Sequence, residues 1–287
     1  MEVIKQVNII REKMQALRCS GKRIGFVATM GALHEGHLQL LRASAKENDI
    51  TVCSIFVNPT QFNNPEDYKL YPRTSEQDIA LLKTVNCDYL FEPDASEIYT
   101  QQTLLQFSFG ALEAVMEGEH RPGHFNGVAT IVSKLFHYIT PHRAYFGQKD
   151  LQQVAVVRQL VQALSFDLEL ICFPTVREQN GLAMSSRNKR LTEEQRQVAT
   201  NLYKVLQLAA GKLRENSVQS IKQEVAAFLQ DTGQIKLEYF EVAHPDTLQP
   251  VQNVQEVKEV KEVALCIAAH VGEVRLIDNM LVNLNDA

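Results

Sequence analysis

Apolar residues return every third or fourth position through Val3, Ile4, Val7, Ile10, Met14 and Leu17. That spacing predicts one amphipathic helix, closed by Gly21. Ile24 to Ala28 is short, apolar and β-rich, and predicts a strand. Leu38, Leu40 and Leu41 then open a helical apolar face that runs to about Asn48, and Ile50 to Val57 predicts a second strand. Strand, glycine turn, helix and strand make one βαβ unit, whose ligands collect at the carboxyl ends of its strands.

The pattern continues as alternating strands and helices. Glu66 to Thr74 reads as a loop, with Thr74 an N-cap and Gln77 its capping-box partner, ahead of a helix with Ile79, Leu81 and Leu82 inward. Asp88 to Phe91 predicts a third strand, Val128 to Tyr138 an apolar-faced helix, and Ala144 to Gly147 a strand opening into a helix through Val161. Leu168 to Phe173 is a further strand. After Thr192, a predicted N-cap, the character shifts to helices running to about Gln230. Leu237 to Val242, Glu262 to Ala269 and Glu273 to Ile277 predict a small pairing of strands. Val254, Val257, Val260 and Val263 repeat at a period of three, which suits neither helix nor strand, so the first part reads as a charged loop. The expected fold class is α/β, a parallel sheet flanked by helices over residues 1–178, with a smaller C-terminal α+β lid domain over 179–287.

Composition narrows the class. The chain has 287 residues, 45% hydrophobic and 22% charged, which is ordinary for a globular protein with a sizeable core. A net charge of −5 argues against a nucleic-acid footprint, which needs a basic face. The five cysteines are scattered with no Cys-x-x-Cys, which points to a reduced, cytoplasmic setting without structural zinc. No apolar run approaches the roughly 20 residues of a membrane span. The first residues mix acids and bases without the apolar core of a signal peptide.

Five stretches carry candidate chemistry. His34 and His37 stand three apart, at a predicted helix start after a glycine turn. A helix N-terminus favours anions, and two imidazoles there would donate to phosphate oxygens. A zinc site is the rival, but the metalloprotease pattern places its histidines four apart. Asn58-Pro59-Thr60-Gln61 follows a strand with amides suited to a hydroxy acid, though alone it reads as an ordinary polar loop. Glu117 to Val128 is a shaped loop whose notable polar groups are Arg121 and His124. Lys149-Asp150 opens a helix, where Lys149 suits phosphate and Asp150 suits a cap or ribose hydroxyls. Ser185-Ser186-Arg187 follows a glycine turn and forms a plausible phosphate clamp.

Thr29-Met30-Gly31-Ala32-Leu33-His34-Glu35-Gly36-His37 resembles the His-x-Gly-His signature of the nucleotidyltransferase superfamily, in the form carried by the pantothenate synthetase family. Arg121-Pro122-Gly123-His124-Phe125-Asn126-Gly127-Val128, Phe146-Gly147-Gln148-Lys149-Asp150-Leu151-Gln152-Gln153, Ser185-Ser186-Arg187 and Arg275 to Asn279 resemble further blocks of that family. In the second of these, Gln148 stands where the family usually has Glu. The resemblance implies a Rossmann-like sheet and ATP-dependent condensation of (R)-pantoate with β-alanine, with Mg²⁺ accompanying ATP. It implies ATP contacts at Met30, His34, His37, Gly147, Lys149, Asp150, Val176, Met184, Ser185, Ser186 and Arg187, with His37, His34 and Lys149 catalytic. It implies contacts to pantoate or β-alanine at Gln61, Gln153, Asn58 and His124, and a magnesium-associated carboxylate at Asp78. It further implies a cytoplasmic homodimer.

Overall fold

The computed structural model describes residues 1–63, 65–254 and 261–285. Strands β1 (Glu2–Ile4), β2 (Ile24–Thr29), β3 (Ile50–Ile55), β4 (Tyr89–Phe91), β5 (Arg143–Gly147) and β6 (Glu169–Phe173) form one parallel sheet in the order β1-β4-β3-β2-β5-β6. Helices α1 (Val7–Cys19), α2 (Glu35–Glu47), α3 (Pro65–Leu70), α4 (Ser75–Lys83), α5 (Ala95–Ile98), α6 (Met116–His120), α7 (His124–Ile139) and α8 (Leu151–Ala163) connect and flank the strands. Side chains alternate across a strand, so Phe26 and Val52 join one face's core while Val27 and Cys53 join the other's. Both faces are therefore covered, as a parallel sheet requires.

The chain next adds α9 (Glu193–Ala199), α10 (Asn201–Lys212), α11 (Val218–Asp231) and β7 (Ile235–Ala243), then the hairpin β8 (Glu262–Val271) and β9 (Val274–Asn283). β7, β8 and β9 form an antiparallel sheet. Leu206, Ile221, Val225 and Leu265 share its separate core. Thr192 caps α9 by a capping box with Gln195, as its sequence predicts.

The sheet order places the site. From β2 the chain runs outward to β3 and β4, and it returns to lay β5 on β2's other side. The crevice between the carboxyl ends of β2 and β5 is the topological switch point where open α/β sheets bind ligands.

Several boundaries differ from the pattern-based expectation. Val3 and Ile4 belong to an edge strand, Val3 opposite Leu90, and the helix begins only at Val7, whose N–H donates to Glu97 at 2.7 Å. The expected loop from Glu66 contains α3. Thr74 does not cap α4 by its side chain; its hydroxyl donates to Asp78 instead. β9 runs on to Asn283, so Asp278 and Asn279 lie mid-strand rather than beyond its end. Of the valine repeat, Val257 and Val260 lie outside the described residues, while Val263 is buried in β8. Among the described residues no helix is long and apolar enough to cross a membrane.

Candidate active site

β2 ends at Thr29, and the chain turns through Gly31 and Ala32, both with left-handed φ (81° and 50°). A side chain on Gly31 would also meet Ile55 and Asp78 at 3.0 and 3.1 Å, so glycine suits both the conformation and the space. Asp78 holds this turn. Its carboxylate accepts from Ala32 N–H (2.9 Å), Leu33 N–H (2.8 Å) and the Thr74 hydroxyl (3.1 Å), at 1% exposure. Asp78, implied as a magnesium-associated carboxylate, lies outside the cavity lining. Its lone pairs serve the backbone that delivers the histidines.

His34 is the N-cap residue of α2, and His37 sits in its first turn. The two rings lie 4.0 Å apart, tilted by 34°. The intervening Gly36 has a local reason: a Cβ there would stand 3.0 Å from the His34 ring. Removal from water lowers His37 to about 4, and the same effect, with His37 and Lys149 nearby, lowers His34 to about 2. Both imidazoles are neutral at physiological pH. The His34 backbone N–H approaches His37 Nδ1 at 3.4 Å, which places the His37 proton on Nε2 as a donor. His34 Nδ1 is buried without a hydrogen-bond partner.

A cavity of about 240 Å³ opens at the switch point. Around it stand Met30, His34, His37, Asn58, Gln61, His124, Gly147, Lys149, Asp150, Gln153, Val176, Met184, Ser185, Ser186 and Arg187, which is every candidate residue except Asp78. Lys149 and Asp150 lie in a 3₁₀ turn (Gln148–Asp150) that leads into α8. Asp150 makes no capping bond, and Lys149 Nζ lies 3.4 Å from its carboxylate. Val176 and Met184 are joined by a backbone bond across the turn at Gly181. Ser185 starts the 3₁₀ segment Ser186–Arg190 by accepting from Arg187 N–H. Arg187 pairs with Asp67 of α3 at 3.1 Å, and Ser186 lies 3.3 Å from the Tyr71 hydroxyl.

The opposite wall is neutral and tightly bonded. Asn58 donates to Gln61 Oε1 and to the Gly127 carbonyl, both at 3.1 Å, and accepts from the Tyr99 hydroxyl at 2.6 Å. Asn58 is 1% exposed and its amide is already used, so its geometry suits holding Gln61 rather than meeting a ligand directly. Gln61 Nε2 points at Met30 Sδ, 3.1 Å away. His124 begins α7 after the left-handed Gly123, and its Nδ1 lies 2.8 Å from the Gln61 carbonyl. A carbonyl accepts only, so that nitrogen carries the proton and Nε2 is left as an acceptor. Burial, helped by Arg121, lowers His124 to about 4 and keeps it neutral.

Other lining residues escape sequence reasoning. Glu117, Tyr239, Asp278 and Asn279 also face the cavity. Arg275 donates to both Glu117 oxygens (2.9 and 2.6 Å), and Tyr239 adds a third bond at 2.9 Å. Burial alone would raise the Glu117 carboxyl, but Arg275 outweighs it and holds Glu117 at about 2. Gln152 accepts from Glu117 N–H and donates to the Leu112 and Val115 carbonyls, fixing the entry to α6. Glu117 opens the Glu117–Val128 loop and Asp278 and Asn279 close the Arg275–Asn279 block, but in sequence neither stretch gave these residues any chemistry.

The pantoate-β-alanine ligase family model matches residues 2–281. A pantothenate synthetase of Cytophaga hutchinsonii is 48% identical over 263 residues, covering 91% of this chain and 92% of the relative. The chain belongs to the pantoate-β-alanine ligase family. The solved pantothenate synthetase of Thermus thermophilus superposes with a TM-score of 0.90 at 40% identity, covering 98% of this chain and 99% of that one. The solved pantoate-β-alanine ligase of Francisella tularensis, complexed with β-γ ATP and β-alanine, gives 0.81 at 35% identity, with 98% and 97% covered. The family fold thus extends through both the parallel sheet and the C-terminal antiparallel sheet.

Proposed function

We propose that this chain condenses (R)-pantoate with β-alanine through pantoyl adenylate, releasing pyrophosphate and then AMP. The observation that carries the reading is the convergence on one switch-point cavity of a donor-rich wall and a neutral amide wall. ATP phosphates lie along the α2 N-terminus, His34, His37, Lys149 and the Ser185–Arg187 segment. Gln61, Gln153 and His124 hold pantoate, the His124 Nε2 accepting from a hydroxyl. The pantoate carboxylate attacks the α-phosphorus, forming a P–O bond as the bond to the β-phosphate oxygen breaks and pyrophosphate leaves. His37 Nε2–H and Lys149 offset the charge that develops. The neutral amine of β-alanine then attacks the acyl carbon; the C–N bond forms as the acyl C–O bond breaks, AMP leaves with the electron pair on its phosphate oxygen, and the amine proton passes to that phosphate or to water. Arg121, on the cavity wall and 3.6 Å from Glu117, offers a cation for the carboxylate of β-alanine.

No protein nucleophile takes part. Cys266 lines the cavity, but burial pushes its thiol up to about 12, so it carries no thiolate at neutral pH. Nor do the residues build a resident magnesium cage. Among the described residues no three metal-ligating side chains cluster, and the Asp78 oxygens are taken by backbone N–H groups. Mg²⁺ therefore enters as part of the nucleotide substrate, held chiefly by phosphate oxygens and water.

Residues 1–178 act as the nucleotide and pantoate domain, with 179–287 as the lid. The assembly is a cytoplasmic homodimer, which sedimentation and cell fractionation check. Pantoate labelled with ¹⁸O in its carboxylate tests the chemistry: labelled oxygen should appear in AMP. AMP free of label would contradict attack on the α-phosphorus.

A further inference from the structure

The sheet ladder between β5 and β6 ends at Gly147 opposite Phe173. Beyond it, the Lys149 turn and the Val176–Met184 turn leave as separate loops, and no strand pairing fixes the distance between them. Both are gripped by two consecutive residues of β9. Asn279, 3% exposed, donates through Nδ2 to the carbonyls of Gln148 (2.8 Å) and Lys149 (2.9 Å) and accepts from Gln148 Nε2 at 3.2 Å. Asp278, 4% exposed, accepts from both terminal nitrogens of Arg177 at 2.6 and 2.9 Å. Arg177 also donates to the Gly181 carbonyl at 3.2 Å and lies 3.8 Å over the Tyr203 ring. Successive side chains of a strand point to opposite faces, so neighbouring residues can hold two loops at once.

We infer that Asp278 and Asn279 are positioning residues for adenylation: through them the C-terminal sheet sets where Lys149 stands relative to the nucleotide-facing turn after β6. Neither residue need touch the reacting atoms. A buried carboxylate and a buried amide are costly unless fully bonded, and here their bonds converge on the two loops. While these bonds hold, the C-terminal sheet is part of the site, and any opening of the 179–287 lid at this strand has to break them. The inference rests on the reading that Lys149 faces the ATP phosphates.

A double-mutant cycle between Asn279→Ala and Lys149→Ala tests it, reading pantoate-dependent pyrophosphate release, KM for each substrate and the thermal midpoint. Asn279→Ala should lower kcat/KM for ATP about tenfold, as misplacement of a charge-stabilising group does, with KM for pantoate within about twofold. In the Lys149→Ala background the same change should cost no more than about threefold, because two residues acting through one group are not additive. Wild-type kinetics in Asn279→Ala, full multiplication of the two losses, or an equal loss for both substrates that tracks a fallen midpoint would each overturn the inference. If Lys149→Ala alone leaves adenylation intact, the phosphate reading falls and takes the inference with it. If Asn279→Ala does not fold, Asn279→Ser, too short to reach both carbonyls, decides the same question.

Discussion

The two walls of the cavity are built on opposite terms. On the wall proposed for the nucleotide, the Lys149 ammonium has one contact, 3.4 Å from Asp150, His34 Nδ1 has no partner, and Arg187 holds a partly exposed Asp67. On the wall proposed for pantoate, Asn58, Gln61 and His124 are neutral, and their side chains are tied to one another, to Met30 and to backbone carbonyls. The two histidines show the same split. His37 is left with a donor at Nε2 and His124 with an acceptor, because the backbone takes the other nitrogen in opposite senses. A moving phosphate charge calls for donors held in reserve, whereas a small hydroxy acid is recognised by groups locked in place before it arrives.

Substitutions should separate the walls. Lys149→Ala and His37→Ala should each slow adenylation about 10²-fold, the usual loss for a charge-stabilising donor, with KM for pantoate little changed. Single-turnover pyrophosphate release measures this, and near-normal rates in either variant would remove that residue from the nucleotide wall. Gln61→Ala should lower kcat/KM for pantoate by roughly tenfold or more, the loss of one or two hydrogen bonds, while KM for ATP stays put. A larger effect on ATP would merge the two walls into one. Asp67→Asn should change ATP kinetics least, about threefold or under, because partly exposed ion pairs are worth ~0.2–1 kcal/mol.

Acid titration sharpens the comparison in a different way. His37 and His124 both lie at about 4 when folded, against an ordinary 6.5. Between those values the unfolded chain binds more protons than the folded one, so the folded state loses stability as pH falls. The contribution is complete above 6.5 and lost by about 4; Glu117, held at about 2 against 4.5, adds its own loss at still lower pH. Thermal melts from about pH 7.5 down to about 4.5 should show a steadily falling midpoint, and His124→Gln should flatten part of that fall. A midpoint that rises on acidification would contradict neutral, buried histidines.

The β2–α2–β3 unit was legible because its apolar residues are local and regular, and the polar blocks at the strand ends then fell around one cavity. What was not legible depends on distant partners. Val3 and Ile4 fit a helical period, and only pairing with β4 makes them a strand. Asp78 looks like a helix-start carboxylate in sequence, yet its partners Ala32 and Leu33 lie 46 and 45 positions away. The Glu117–Arg275 pair spans 158 positions, and Asn279 reaches Lys149 across 130. No periodicity carries such contacts: the Asp78 turn appears only when α4 packs beside the end of β2, and the Glu117 and Asn279 bonds only when the C-terminal sheet is laid against the parallel-sheet part.

The most direct test of the account is pyrophosphate release from ATP and Mg²⁺ by the purified protein, with and without pantoate, before β-alanine is added. The account predicts release that depends on pantoate, with AMP appearing once β-alanine is supplied. Release without pantoate, or ATP binding with no release in its presence, would contradict it.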